Sequence, residues 1–284
     1  MSKTAVRVDS VTGVEERLEH IVTPRGLLYS WTARPQQAKS CVLVCSSVLG
    51  DFVANYHRER LIGRLLAARG HGVVRFHYAG EGNSQGERRA MTLNTLCDDA
   101  RAVLNHAESL GFSKFAMLGT RVGAFVAAAT VSSLPPSVPF AIWEPMSDPL
   151  RFLAEAQRAN RMSRAAQGGS GDASVNWRQE LDHNGVVHLL GYDVYRALVE
   201  SLENVDFLTT LGSLPRDVML ARFTAKEGAP DPIRDGLVER GFAVNYGTYG
   251  LTESWWFHSE RAPEHNSLIG TTVDWLSAAL SETE

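Results

Sequence analysis

Short unbroken apolar runs alternate along the chain with longer stretches in which apolar residues recur every third or fourth position. Cys41-Val42-Leu43-Val44-Cys45 is suited to a strand buried on both faces. Leu61, Leu65 and Leu66 follow at helical spacing, and Gly70 and Gly72 stop that helix. The rhythm then repeats. Val73 to Phe76 precedes a helical stripe of Leu93, Leu96, Ala100, Val103, Leu104 and Ala107. Phe115 to Leu118 precedes an alanine-rich helix over 124–129, and Phe140 to Trp143 is a further buried strand. Val218 to Phe223, a helix near 232–240, a strand over 242–246 and a helix carrying Leu268, Ile269, Val273, Trp275 and Leu276 complete the series. Such alternation predicts a mostly parallel sheet with helices on both faces and right-handed crossovers, with any active site at the carboxyl ends of the strands.

Two segments break the rhythm. Arg17 to Thr23 and Leu27 to Thr32, separated by Pro24-Arg25-Gly26, predict a hairpin ahead of the first buried strand. From Pro149 to about Asp206 an Arg/Ala-rich helical stretch, the flexible run Gly168 to Gly171 and a second helical piece around 195–202 predict an inserted helical cap. The expected division is a core of residues 1–148 and 207–284 with a cap of 149–206.

Charge narrows the function classes. The 284 residues carry 28 Lys+Arg against 32 Asp+Glu, a formal net charge of −4. No excess of positive charge is present for nucleic-acid phosphates or an anionic membrane surface, so neither partner is expected. The first twenty residues hold no apolar stretch of the length of a signal peptide core, nothing later has the length of a transmembrane helix, and a cytoplasmic protein is expected. Cys41, Cys45 and Cys97 are an odd number; on one strand Cys41 and Cys45 lie roughly 13 Å apart, too far for a disulfide. No Cys/His spacing suits zinc, no Walker-type loop occurs, and Gly80, Gly82 and Gly86 miss the dinucleotide spacing, so no metal or cofactor is expected.

Three glycine- or serine-rich turns follow predicted strands. They are Ser46-Ser47-Val48-Leu49-Gly50, the run His77-Tyr78-Ala79-Gly80-Glu81-Gly82-Asn83-Ser84, and Gly119-Thr120-Arg121-Val122-Gly123. In order and spacing they resemble the oxyanion loop, the G-x-G-x-S turn and the G-x-S-x-G nucleophile elbow of the α/β-hydrolase superfamily. The resemblance covers nearly the whole chain and implies an α/β-hydrolase fold. The Gly-x-Arg-x-Gly-Ala turn, Ile142-Trp143-Glu144-Pro145, and Gly191-Tyr192 followed by Leu198 and Leu202 are similar to the branch of exosortase-associated hydrolases.

The departure from that pattern is Arg121 at the elbow's centre. A guanidinium stays protonated and has no lone pair, so it forms no acyl-enzyme. At a helix amino end it is instead an anion site for a carboxylate or phosphate, or an internal ion pair filling a silent active site. The resemblance implies a histidine in the loop after the last strand. His258 fits that loop as a general base, and His265 lies nearer the terminal helix. Candidates for its orienting acid are Asp231, Asp235 and Glu144; Asp231 before Pro232 also reads as a helix cap, and Glu144 is placed to face Arg121. Ser46, Ser47 and Val122 are expected to bind ligand near the oxyanion position, and Trp255, with Trp256 and Phe257, to wall an apolar pocket or pack in the core.

Two functions follow. One is hydrolysis of an acyl ester, thioester or amide without a serine nucleophile, with His258 activating water and Arg121 holding an anionic group. The other is a catalytically inactive hydrolase-fold protein that binds a ligand or a carrier or partner protein. The expected substrate is a small molecule or a carrier-bound acyl group. Arg151, Arg158, Arg161 and Arg164 offer a basic face to an acyl carrier protein or other biosynthetic partner, and a homodimer is a further expected assembly.

Overall fold

A computed structural model describes residues 4–166, 176–223, 230–249 and 267–281. Among them one sheet of nine strands runs in the order β1-β2-β3-β5-β4-β6-β7-β10-β11. Its first part is antiparallel: β1 (Ala5–Val8), β2 (Glu15–Thr23) and β3 (Gly26–Arg34) form a meander, and β3 pairs antiparallel with β5 (Gly72–Phe76). From β5 onward the sheet is parallel, through β4 (Ser40–Cys45), β6 (Lys114–Thr120), β7 (Phe140–Trp143), β10 (Asp217–Phe223) and β11 (Ala243–Tyr249).

Alternation along these strands divides the interior into two layers. Val42 and Val44 of β4 face α1 (Leu49–Ala68) and α9 (Ser267–Ser281), packing with Ile62, Leu66, Leu268 and Val273. Cys41, Leu43 and Cys45 face the other way, in the layer with α2 (Leu93–Ser109) and α3 (Val122–Val131). This explains the continuous apolar runs, since a strand covered on both faces has no solvent side on which to place polar residues. The cysteines are free and buried. A capping box starts α2: Thr95 N–H donates to Thr92 Oγ1, and Thr92 N–H donates to Thr95 Oγ1.

Between β7 and β10 the chain forms α4 (Arg151–Ala166), α5 (Trp177–Asn184), a hairpin of β8 (Val186–Leu189) and β9 (Tyr192–Tyr195), α6 (Arg196–Leu202) and α7 (Phe207–Leu211). α8 (Pro232–Glu239) joins β10 to β11. The glycine run 168–171 lies outside the described residues.

The structure departs from the periodicity in three places. Residues 5–8 form an exposed edge strand that the hydrophobic pattern does not announce. α1 begins at Leu49, inside the expected loop, and Leu65 on it is exposed. The β8–β9 hairpin turns on Leu190 and Gly191, both at positive φ (50° and 86°), where Asn-Gly is the usual signal.

The register sets the site. Cys45 pairs with Gly119, Thr120 with Trp143, and Trp143 with Ala221. The next residues, Ser46, Arg121, Glu144 and Arg222, therefore emerge side by side at the carboxyl edge of the sheet.

Candidate functional site

The turn from β6 to α3 is held by two glycines. A Cβ on Gly123 would lie 2.1 Å from the Cys45 carbonyl oxygen, and one on Gly119 would lie 2.7 Å from Ala124 Cα. Between them Arg121 adopts φ 52° and ψ −112°, a conformation that costs an L-residue of order 1–3 kcal/mol. Its N–H donates to the Trp143 carbonyl at 3.0 Å, which ties the turn to β7. Val122 is the first residue of α3 and is buried.

The Arg121 side chain folds inward and is only 2 % exposed. Its Nε donates to Asp51 Oδ2 at 2.5 Å, and its Nη2 donates to Glu155 Oε2. Asp51 comes from the first turn of α1 and Glu155 from α4, so the guanidinium joins three elements. Arg151, one turn before Glu155, donates from Nε to its other oxygen at 2.8 Å. Burial raises the Asp51 carboxyl above the ordinary aspartate value, and Arg121 offsets only part of that rise. Burial also opposes the Arg121 charge, but Asp51 and Glu155 outweigh it and hold the guanidinium protonated.

The serines beside this turn are buried too. Ser46 Oγ donates to Glu59 Oε2 at 2.6 Å, and Arg75 Nη2 lies 3.5 Å from the same oxygen. Ser47 Oγ donates to Asp51 Oδ2 at 3.4 Å. A serine whose hydroxyl proton points at a carboxylate, with no space above it, meets no substrate carbonyl.

Glu144 and Asp231 gather around Arg222 rather than around Arg121. Arg222 grips Asp231 with two bonds, Nε to Oδ2 at 2.7 Å and Nη2 to Oδ1 at 2.9 Å. Asp231 is also the N-cap of α8, accepting from the Ile233 and Arg234 amides. Burial works against the Asp231 charge, yet the Arg222 contacts bring its carboxyl below the ordinary aspartate value. Glu144 sits at φ 47° at the end of β7 and accepts the Phe223 N–H on Oε2 at 2.7 Å. Its Oε1 is 3.8 Å from Arg222 Nη1, and burial raises the carboxyl above the ordinary glutamate value. Asp235 pairs with its neighbour Arg234 at the surface.

An open cleft of about 300 Å³ lies over this group, lined by Arg121, Glu144, Arg151, Arg222, Asp231 and Tyr246 with the apolar Pro145, Met146 and Phe223. His258, His265 and Trp255 lie outside the described residues. Asp51, Glu155 and Arg222 carry the site and were not among the residues singled out from sequence. Their only signals were an acid just after the small-residue turn, an i,i+4 Arg-Glu pair, and one charge at the end of an apolar strand.

His77, from the second glycine-rich turn, is packed among Tyr29 and Phe52 with ring centroids at 4.7 and 4.9 Å. Its Nδ1 accepts from the Asn83 N–H at 2.9 Å, and burial lowers its pKa to about 4.

No family model and no curated protein matches the chain. Solved structures do. Proline iminopeptidase of Mycobacterium smegmatis superposes with a TM-score of 0.63 at 16% identity, covering 94% of this chain and 100% of that one. The ferulic acid complex of Est1E from Butyrivibrio proteoclasticus gives 0.61 at 12% identity, covering 93% and 98%. Mouse α/β hydrolase domain-containing protein 10 gives 0.56 at 13% identity, covering 94% and 99%. These identities show the fold alone. The chain has the α/β-hydrolase fold, and no helix among the described residues is long and apolar enough to cross a membrane.

Proposed function

We propose that this chain is a catalytically inactive α/β-hydrolase-fold protein that binds a small molecule or a carrier-bound acyl group at the carboxyl edge of its sheet. The observation that supports this reading is the state of the elbow residue. Arg121 has no nucleophilic lone pair, and its guanidinium is turned inward onto Asp51 and Glu155. The position that would hold a nucleophile is thus part of the folded interior. Ser46 and Ser47, the hydroxyls nearest to it in the strand-end loop, are spent on Glu59 and Asp51. In this proposal residues 149–206 act as the cap over the cleft. The exposed Arg151, Arg158 and Arg161 of α4 are the face for an acidic carrier protein.

The tight turn at Arg121 supports a second reading, hydrolysis of an ester, thioester or amide without a serine. Positive φ at Arg121 and the close approach at Gly123 keep the amino end of α3 against the Ser46 backbone. There the amides near Ser46 and Val122 would stabilise developing negative charge while His258 activates water. The two readings separate in one experiment: a panel of short acyl esters and acyl thioesters with the wild type, Arg121→Ala and His258→Ala. The binding reading expects no turnover above buffer from any of the three. Wild-type turnover that disappears with His258→Ala overturns it.

A further inference from the structure

Among the described residues, the charges around the cleft do not cancel. Arg121 pairs with Asp51, Arg151 with Glu155, and Arg222 with Asp231, each through a bond of 2.9 Å or less. Glu144 is the fourth carboxylate beside these three guanidiniums. Its Oε2 is satisfied by the Phe223 amide, while Oε1 has only the 3.8 Å approach of Arg222 Nη1, beyond hydrogen-bond length. That Arg222 nitrogen already donates to the Pro145 carbonyl. Glu144 therefore brings one unmatched negative charge and one under-used acceptor to the wall of a cleft of about 300 Å³. Its position is enforced, because the backbone holds φ at 47° and the Phe223 amide fixes one oxygen. Met146, Phe223 and Tyr246 supply an apolar and aromatic wall in the same cleft.

We propose that this cleft is a recognition site for a small organic amine, whose protonated nitrogen donates to Glu144 Oε1 while its apolar body lies along Met146, Phe223 and Tyr246. The inference rests on the binding reading above and names the ligand class for that site. A small organic anion is disfavoured because, among the described residues, the three guanidiniums already face four carboxylates, so an incoming carboxylate adds to a negative surplus. A divalent cation is disfavoured because Glu144 stands alone as a ligand; among the described residues no three His, Cys, Asp or Glu are grouped to hold a metal. A protonated amine supplies one charge and directed N–H donors, which is what one half-used carboxylate accepts.

The test uses the full chain and three phenyl probes of similar size, benzylamine, benzyl alcohol and benzoate, with affinity measured by calorimetry and the site read by the Met146 methyl resonance. Benzylamine is expected to bind more tightly than the other two and to shift Met146. Glu144→Gln, which keeps the shape, should weaken it by roughly 10- to 100-fold, the worth of one charged hydrogen bond. Ser147→Trp, at an exposed cleft residue, should weaken it without altering a buried group. Absence of benzylamine binding, benzoate binding as tightly as benzylamine, or unchanged affinity in Glu144→Gln each overturns the proposal. None of these outcomes bears on turnover, so the acyl-ester panel judges the non-catalytic reading separately.

Discussion

Arg121 Nε lies 2.5 Å from Asp51 Oδ2, although the two residues are 70 positions apart and both are buried. The pair joins the strained turn after β6 to the first turn of α1, and Glu155 extends it to α4. Removing one member leaves the other as an uncompensated buried charge. Arg121→Ala should therefore cost about 3–5 kcal/mol of unfolding free energy, read from urea titrations at neutral pH. Arg121→Met combined with Asp51→Asn should cost less than Arg121→Ala alone, because no orphan charge remains at Asp51. A double loss equal to the sum of the losses for Arg121→Met and Asp51→Asn made singly would show that the pair is not coupled.

Gly123 admits no side chain. Its missing Cβ position is 2.1 Å from the Cys45 carbonyl oxygen and 2.3 Å from that of Ser46, and both obstacles are backbone. Gly123→Ala must push α3 away from the end of β4, so a loss of more than about 3 kcal/mol or failure to fold is expected. Gly270→Ala is the control: nothing lies within 4 Å of its Cβ position, and it lies in α9, where alanine is the better helix former. Thermal midpoints should separate the two variants clearly.

The parts of this fold that were legible in sequence are those where burial left a one-letter signature. β4, β6, β7 and β10 are covered on both faces and read as apolar runs. The first half of α1 did not, because its buried face carries Asp51, Asn55 and Glu59 among Leu49 and Phe52, so the apolar stripe that packs inward is interrupted by polar residues. The β8–β9 hairpin was hidden by Leu190 occupying a positive-φ turn position without the usual residue. At the site, Gly119 and Gly123 disclosed the tight turn after β6 and thereby Arg121, since close backbone approach demands glycine. Its partners were not legible. Asp51 and Glu155 are 70 and 34 positions from Arg121, and ion pairs formed across the fold have no periodicity to betray them. Asp231 before Pro232 showed its capping role, but the bidentate Arg222 contact appeared only once β10 and α8 were in place.

Glu144 and Asp231 should respond to pH in opposite senses. Burial raises the Glu144 carboxyl, so the folded chain binds that proton more tightly than the unfolded one. Stability then falls as pH rises from the unfolded glutamate value, roughly 4.3, through the raised folded value, and the penalty is complete above it. Glu144→Gln never carries this charge, so its stability relative to the wild type should improve as pH rises across that window. Asp231 is the reverse case: despite burial, Arg222 brings its carboxyl below the unfolded value. The stability it contributes is fully present above the unfolded aspartate value and is lost as pH falls through the lowered folded one. Asp231→Asn should therefore be destabilised at pH 7, with the gap to wild type closing in acid. Urea midpoints measured between pH 3 and 8 test both slopes.

His77 should be silent where histidines ordinarily titrate. Its Nδ1 accepts the Asn83 N–H at 2.9 Å, so the proton of the neutral ring is on Nε2. Protonation at Nδ1 would break that bond and place a charge among Tyr29 and Phe52, close to the buried Arg75. Burial, with Arg75 adding to it, accordingly lowers the His77 pKa to about 4. For a base whose folded pKa is depressed, the unfolded chain binds the proton more readily. Stability is therefore complete above the ordinary histidine value, roughly 6.5, and declines as pH falls from there toward the folded value. Imidazole nitrogen shifts recorded from pH 8 to pH 5 should stay those of the Nε2–H tautomer throughout. His77→Phe should remove the part of the acid destabilisation that begins below about pH 6.5. A His77 resonance that titrates near 6.5 would show that the ring is not held by Asn83 and its aromatic neighbours in solution.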